Sequence, residues 1–337
     1  MNRRIWVTSL GLLFAAGLLA AQQPQSAATP PQNSPDAAKE AAPRVHSLKI
    51  TILSTMLADD GIGEWGFAAL VEADGNRILY DTGARPGTVL GNAKELKIDL
   101  SGVRDVILSH DHGDHTGGLI TLRRELSAAN PAALSRAHVA PGIFWSRPNP
   151  AGGEWNKMIA VRAEYEALGG TFIEHAKPEQ LFPGVWLTGP VPRVYPERNW
   201  SGTNDVVTPS GTVEDTVPED QALVFDTDRG LVMLTGCGHA GIINILDYAR
   251  HAVRPAPVYA AIGGFHLYAA DDAKLDWTAA KLREMGTQNV LGAHCTGLHT
   301  VYYLKDKLGL PRQQCLVGAV GATFTLEKGI APGRVAQ

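Results

Sequence analysis

A short run of metal-ligand residue types, placed directly after a predicted strand, constrains this chain most. Residues 103–108 predict a strand, and past Ser109 the chain reads His110-Asp111-His112-Gly113-Asp114-His115. Imidazole and carboxylate are the usual ligands of zinc and related divalent ions. His110, His112 and Asp114 alternate, so a turn given backbone freedom by Gly113 can aim them at one point, while His115 faces a second. The run therefore predicts a metal site at a strand end rather than a polar surface loop.

Apolar periodicity along the rest of the chain predicts an α/β fold. We predict strands at 48–53, 67–72, 77–80, 103–108, 222–226, 231–235, 258–262, 290–293 and near 322–326. We predict helices at 87–96, 119–129, 241–250, 273–285 and 301–308. Strands followed by alternating strand and helix indicate a sandwich of sheets with helices outside. Residues 140–216 are irregular, and they predict either an insertion or lid over a site or a decorated surface.

Three later strands each end in a glycine, cysteine or histidine cluster. These clusters contain His239, His266 and His294, with Cys237 and Cys295 beside them. Side chains at such strand ends converge on one edge of a sheet, where sites tend to form. Any one of these histidines alone could be a hydrogen-bonded core residue, but together they predict one site shared with the first motif.

The stretch from Leu108 to Gly118 resembles the His-x-His-x-Asp-His signature of the metallo-β-lactamase superfamily, and Asp81-Thr82-Gly83 resembles that superfamily's first characteristic strand end. The later clusters Leu234-Thr-Gly-Cys-Gly-His239, Ile262-Gly-Gly-Phe-His266 and Ala293-His-Cys-Thr-Gly297 resemble one subgroup, the dihydropterin-ribofuranosylaminobenzene phosphate synthase-like enzymes. The resemblance covers about residues 49–326. It implies a four-layer αββα sandwich.

The resemblance also implies a role for each site residue. His110 and His112 would bind one divalent metal ion, with His239 as its third ligand, and Asp114, His115 and His294 would bind a second. Asp114 would also orient the nucleophile. His266 would contact substrate or donate a proton to the leaving group. The ions would be zinc, with manganese or iron as alternatives.

Some residues depart from the family pattern or lie outside the ligand set. Most two-metal members carry a bridging Asp where this chain has Cys237. A thiolate can bind zinc, so Cys237 either replaces that carboxylate or is a buried thiol. Asp81 is expected to orient a ligand histidine. Asp220 either matches an acidic position of the subgroup or is an ordinary turn residue. Glu64 and Arg193 are surface charges by default, with pocket residues as the alternative.

The first residues predict export. Arg3 and Arg4 precede an apolar run over 5–21, which is the pattern of a secretory signal peptide, with an uncleaved membrane anchor as the alternative. Residues 22–44 are rich in Ala, Pro, Gln and Ser and predict a disordered linker, so the mature domain is 45–337 and periplasmic. A formal net charge of -4 gives no support for a nucleic-acid partner. If the signal is cleaved, no stable membrane partner is expected.

A pair of divalent ions lowers the pKa of bound water to roughly 7, which gives hydroxide near neutral pH. The sequence therefore predicts a metal-dependent hydrolase of a small ester, lactone or phosphoester. One alternative is a pterin-ribofuranosylaminobenzene phosphate synthase-like transferase, against which export argues because pterin biosynthesis needs cytosolic intermediates. The other is a non-catalytic metal or ligand-sensing module, against which the complete ligand set argues.

Overall fold

The structure, a computed structural model, describes residues 43–200 and 204–336. The predicted signal peptide and almost all of the predicted linker lie outside these residues, so the structure tests neither prediction. Within the described residues, no helix has both the length and the apolarity that crossing a bilayer requires.

The described residues form short strands and helices in alternation. The strands are β1 (Leu48–Ser54), β2 (Leu57–Ala58), β3 (Ala68–Ala73), β4 (Asn76–Tyr80), β5 (Asp105–Ile107), β6 (Arg136–Val139), β7 (Thr171–Glu174), β8 (Glu179–Phe182), β9 (Val185–Leu187), β10 (Asp205–Thr208), β11 (Gly211–Glu214), β12 (Leu223–Thr227), β13 (Gly230–Thr235), β14 (Val258–Gly263), β15 (Asn289–Gly292), β16 (Cys315–Val317), β17 (Ala319–Val320), β18 (Thr323–Thr325) and β19 (Gly329–Ala331). The α-helices are α1 (Thr88–Glu95), α2 (Gly113–Thr116), α3 (Leu119–Ala129), α4 (Met158–Ala167), α5 (Ile242–Ala252), α6 (Asp272–Glu284) and α7 (Leu298–Leu308).

Two mixed sheets carry the fold. In the described residues, the first has eight strands in the order β19-β18-β1-β3-β4-β5-β6-β7, and the second has seven in the order β16-β15-β14-β13-β12-β9-β8. Strands β4 to β7 run parallel to one another, as do β13 to β16. Parallel neighbours end at the same edge of their sheet, so the loops that follow them are brought together.

Three apolar layers hold the sandwich together. The first lies between the sheets and joins residues such as Ile50 and Phe67 to Leu223 and Ile262. The second packs α5, α6 and α7 on one sheet, and the third packs α1, α3 and α4 on the other. In α5, for example, Ile242, Ile245, Leu246 and Ala249 follow helical spacing and are all buried. The layers confirm the predicted αββα sandwich.

Part of the span 140–216, predicted as an insertion or lid or as a decorated surface, belongs to the sandwich itself. Strand β7 is the edge of the first sheet, and β8 and β9 complete the second, while α4 packs on the outer face of the first. Nearby glycine and proline residues interrupt the apolar pattern, so these short strands are hard to recognise from sequence. The separate hairpin of β10 and β11 is outside both sheets.

Candidate metal centre

The residues of the candidate site follow the carboxyl ends of five strands. Asp81 follows β4, and the run from His110 to His115 follows β5 and includes α2. On the other sheet, Cys237 and His239 follow β13, His266 follows β14, and His294 follows β15. Ligands commonly bind beyond the carboxyl ends of strands in sheets of this kind. The structure brings all of these sequence-predicted residues to one edge of the sandwich.

Three histidines form the first group of candidate ligands. The ring centroid of His110 lies 4.5 Å from that of His112 and 4.7 Å from that of His239. His110 Nδ1 lies 2.9 Å from Ser109 Oγ, and His239 Nδ1 donates to the carbonyl of Asn199 over 2.5 Å. The Nε2 atoms of His110 and His239 are buried and have no hydrogen-bond partner. Burial and the neighbouring histidines lower the pKa of both rings well below the ordinary value, so each offers a free lone pair.

Asp114, His115 and His294 form the second group. Asp114 Oδ2 lies 3.3 Å from His294 Nε2 and 3.8 Å from His115 Nε2. Both ring nitrogens of His294 are buried without a hydrogen bond. Although burial opposes it, Asp114 and Asp81 raise the pKa of His115 to about 9. The carboxylates that favour a proton on His115 would equally attract a metal cation.

Cys237 lies between the two groups. Its Sγ is 3.2 Å from His115 Nε2. Its ligand atom falls within 4.8 Å of those of His110 and His239, and within 4.8 Å of those of Asp114, His115 and His294. Cys237 therefore occupies a position from which one sulfur could contact two ions. Whether it binds metal or only packs stays a prediction.

The donor set fits divalent ions. Buried ring nitrogens without partners are costly unless something binds them, and a transition-metal ion is the partner that imidazole, thiolate and carboxylate share. In the described residues the two groups supply five histidines, one carboxylate and one thiol. The unpartnered nitrogens of His239 and His294 belong to different groups.

Asp81 connects the first motif to the second group. Its carboxylate accepts from the Ser109 backbone N–H over 2.7 Å and from Ser109 Oγ over 2.8 Å, and it lies 2.7 Å from His115 Nδ1. This contact directs His115 Nε2 toward the site, as the sequence predicted for an orienting residue. Asp81, His266 and His294 have φ values of 56°, 48° and 47°. Such left-handed conformations are strained for residues other than glycine and cluster at functional sites.

Asp220 supports the loop that carries Cys237 and His239. It is buried, and its Oδ2 accepts from the backbone N–H of Ala240 over 2.8 Å. Burial raises the pKa of Asp220 to about 7. The structure thus places Asp220 against the site loop, not in an ordinary solvated turn.

Of the two charged residues that sequence reasoning assigned to the surface by default, Glu64 is buried and Arg193 is partly buried. Glu64 accepts from Ser54 Oγ over 2.7 Å and from the Ala84 and Arg85 backbone N–H groups, so it fixes the loop after Asp81. Arg193 is partly buried and donates to the carbonyls of Thr216 and Val217. The surface assignment is wrong for Glu64, because turn residues far away in sequence enclose its carboxylate.

Sequence reasoning missed a buried charge cluster around Arg147. Its guanidinium donates to Asp215 Oδ2 over 2.7 Å and to both carboxylate oxygens of Glu219 over 2.8 Å, and it lies 3.4 Å from Asp111 Oδ2. Asp111 stands between His110 and His112. Burial and Asp111 raise the pKa of Glu219 to about 8, although Arg147 opposes this. No periodicity or spacing in the sequence could have paired residues so far apart.

A cavity of about 610 Å³ opens beside the first group. His112, His239 and His266 contribute to its lining, and the remainder is mixed aromatic and charged: Arg198, Asn199, Trp200, Asn204, Asp215, Val217, Tyr268, Ala269, Ala270, Asp271 and Lys274. The His266 ring lies 4.5 Å from that of His239 and 5.5 Å from that of Tyr268. The exposed Trp65, also missed from sequence, packs 5.0 Å from the His294 ring. A small molecule in this cavity would contact His266 directly.

Comparison with known proteins agrees with this geometry. A family model of the metallo-beta-lactamase superfamily matches residues 66–243, just over half of the chain. A curated protein of Methanocaldococcus jannaschii, 7,8-dihydropterin-6-methyl-4-(beta-D-ribofuranosyl)-aminobenzene-5'-phosphate synthase, is 29% identical over 75% of this chain and 89% of its own length. This relative confirms the resemblance to the synthase-like subgroup.

Solved structures show the same fold. Tm1679, a metal-dependent hydrolase of the beta-lactamase superfamily, matches with a TM-score of 0.65 and 26% identity, over 82% of this chain and 98% of its own. The metallo-beta-lactamase fold protein YhfI from Bacillus subtilis matches with a TM-score of 0.52 and 13% identity, over 83% of this chain and 99% of its own. The chain belongs to the metallo-beta-lactamase superfamily.

Proposed function

We propose that this chain is a metal-dependent hydrolase that cleaves an ester, lactone or phosphoester bond in a small molecule. The observation that carries the proposal is the pair of adjacent ligand groups, whose buried nitrogens on His110, His239 and His294 have no partner in the protein. His110, His112 and His239 would hold one divalent ion, and Asp114, His115 and His294 a second, with Cys237 between them. Ions held there would supply Lewis acidity and a water acidic enough to act as nucleophile near neutral pH.

The chain's own residues divide the remaining tasks. Asp114 is part of the second group and is partly exposed, so its carboxylate can accept a hydrogen bond from an attacking water and orient it. His266 borders the cavity and the His239 ring, a position from which it can donate a proton to a leaving group. Asp81 fixes the tautomer of His115, and the Asn199 carbonyl fixes that of His239.

A substrate panel tests this proposal. Purified protein should turn over at least one member of a panel of lactones, carboxylic esters and phosphodiesters, and a chelator should abolish this activity. Addition of zinc, manganese or iron should restore the activity, and the rate obtained with each metal ranks them. His266→Ala should retain metal and lose turnover, with His299→Ala, an exposed histidine on α7, as the matched control. Loss of metal in His266→Ala, with retention in His239→Ala, would show that these two roles are reversed.

A synthase reaction is the second candidate, favoured by the curated relative of Methanocaldococcus jannaschii. It would use the same ligand groups but join a pterin to a phosphoribosyl aminobenzene instead of cleaving a bond with water. Incubation with both partners, followed by mass analysis, distinguishes the two: a condensed product supports the synthase, whereas hydrolysis of panel members without condensation supports the hydrolase.

We further propose that the mature protein is periplasmic. The support is the Arg3-Arg4 start and the apolar run that follows it. Intact mass of protein from the periplasmic fraction should show a chain that lacks about the first 21 residues. A full-length species in the cytosol would overturn this and favour the synthase.

A further inference from the structure

Cys295 is a buried thiol for which the proposed hydrolysis has no use. It lies one residue beyond His294, and its Sγ is 3.3 Å from the Sγ of Cys237. Both side chains are buried, and neither forms a disulfide in the structure. The two thiols follow β13 and β15, which are separated by β14.

Gly264, just after β14, lies beside both cysteines. A Cβ at this position would lie 2.2 Å from the Gly236 carbonyl oxygen, 2.8 Å from Cys295 Sγ and 3.2 Å from Cys237 Cα. Any other residue there would therefore displace the Gly236 backbone as well as the Cys295 thiol. A disulfide bond is about 2.0 Å long, so the pair needs a contraction of only roughly 1 Å to form one.

A disulfide at Cys237 would affect metal binding, because Cys237 lies next to the candidate ligands. The same Sγ that faces Cys295 also lies 3.2 Å from His115 Nε2 and close to His110 and His239. A sulfur in a disulfide has no thiolate charge with which to bind a metal ion. We propose that Cys237 and Cys295 form a reversible disulfide when a peroxide reaches the metal-free site, and that this bond weakens metal binding.

The chemistry balances with a peroxide as oxidant. Cys237 sulfur attacks one oxygen of hydrogen peroxide, the O–O bond breaks, and sulfenic acid and one water form. Cys295 sulfur then attacks the Cys237 sulfur, the S–S bond forms, the S–O bond breaks, and a second water leaves. Two thiols lose two electrons and the peroxide gains them. A small thiol such as dithiothreitol reverses the reaction.

This inference goes beyond the proposed hydrolysis, and its readouts are thiols and metal content. Wild-type protein is stripped with a chelator, or loaded with zinc, and treated with hydrogen peroxide. Free thiols are then alkylated under denaturing conditions and counted by intact mass, and the disulfide is located by peptide mapping. Zinc binding by oxidised and re-reduced protein is measured in parallel. Cys295→Ser and Cys315→Ser are the matched variants, since Cys315 is buried on β16 with its Sγ 3.4 Å from the Val301 carbonyl.

We expect the metal-free protein to lose two thiols and gain a Cys237–Cys295 link, with zinc capacity that falls and returns on reduction. Zinc-loaded protein should keep its three thiols, Cys315→Ser should behave as wild type, and Cys295→Ser should form no intramolecular link. The proposal is overturned if wild type forms no such link, if a link forms equally in zinc-loaded protein, or if zinc capacity is unchanged by it. Mapping on wild type needs no variant, so a misfolded Cys295→Ser protein leaves the test intact.

Discussion

His294 is the residue whose removal tests the second ligand group most simply. Both of its ring nitrogens are buried without a hydrogen bond, and Nε2 lies 3.3 Å from Asp114 Oδ2, so an ion could bind between the two side chains. We expect His294→Ala to abolish turnover, because it removes a direct metal bond. Asp81→Ala should reduce activity only about 10–100-fold, since Asp81 acts by orienting His115. Steady-state rates of both variants beside His299→Ala check this, and equal losses in the first two would contradict the assignment.

Cys237→Ser separates the two roles that the position of this thiol allows. If Cys237 is a ligand, metal content and activity should fall together, because a hydroxyl is a much poorer donor to zinc than a thiolate. If it only packs, the serine adds a buried polar group that costs some stability, but both ions remain. Our account expects the first result. Elemental analysis of Cys237→Ser, with Cys315→Ser as the control, distinguishes the two roles. Full metal content in Cys237→Ser would contradict a ligand role for Cys237.

Glu197 should make folding stability depend on pH. Its carboxylate is buried and accepts from the Ile243 and Asn244 backbone N–H groups at the start of α5. Burial raises its pKa from 4.5 to about 7, so between these values the folded state binds a proton that the unfolded state does not. This contribution is fully present below the unfolded pKa and is lost as pH rises through about 7.

Glu197→Gln should remove that dependence. Denaturant midpoints at pH 5 and pH 8 should fall less with rising pH in the variant than in wild type, whatever the variant's absolute stability. Other groups that titrate in this range, such as Asp220 and Glu219, contribute to both proteins, so they cancel when the two pH dependences are subtracted. A pH dependence unchanged by the substitution would show that Glu197 does not titrate in this range.

At the scale of elements, Arg147 links the chain between β6 and α4 to the motif loop after β5. It contacts Asp111 in that loop, and Asp215 and Glu219 in the segment between β11 and β12. Arg147→Met should destabilise the protein by roughly 3–5 kcal/mol, because it leaves buried carboxylates without their cation. Arg162→Met is the matched control: its ion pair with Glu166 is about half exposed, so its loss should cost about 1 kcal/mol or less. Equal denaturant midpoints for the two variants would contradict a structural role for the cluster.

The elements that sequence predicted well are those with long apolar periodicity. Helix α3 matches its predicted bounds, and β13 and β14 each lie within a residue of theirs. Strands β6 to β9 were missed because each has only three or four residues and glycine or proline nearby. Helix α7 begins at Leu298, three residues before the predicted start. Short strands are held in place by hydrogen bonds to neighbouring strands. The sequence of one segment alone does not show which neighbours it will have.

The candidate site also has residues that the sequence predicts and residues that it does not. The run from His110 to His115 and the three later histidines could be predicted, because each follows an apolar strand and the strands are parallel. The partners that orient them could not. The Asn199 carbonyl near His239 and the Arg147–Glu219 pair join residues tens of positions apart, with no local pattern to mark them. Trp65 was missed because a lone exposed tryptophan has no distinctive spacing.

At the scale of the whole molecule, the two sheets each contribute half of the metal centre. The first sheet supplies His110, His112, Asp114 and His115, and the second supplies Cys237, His239 and His294. Bound ions would therefore join the two halves of the sandwich and stabilise the folded state by mass action. The proposed hydrolysis depends on those ions being present.

Metal stoichiometry tests that claim most directly. Gently purified wild-type protein should contain about two transition-metal ions per chain, most of them zinc. His239→Ala and His294→Ala should each retain about one, since the two histidines belong to different groups. Elemental analysis that finds no stoichiometric metal in wild type, or one ion that both substitutions remove, would contradict a two-ion centre.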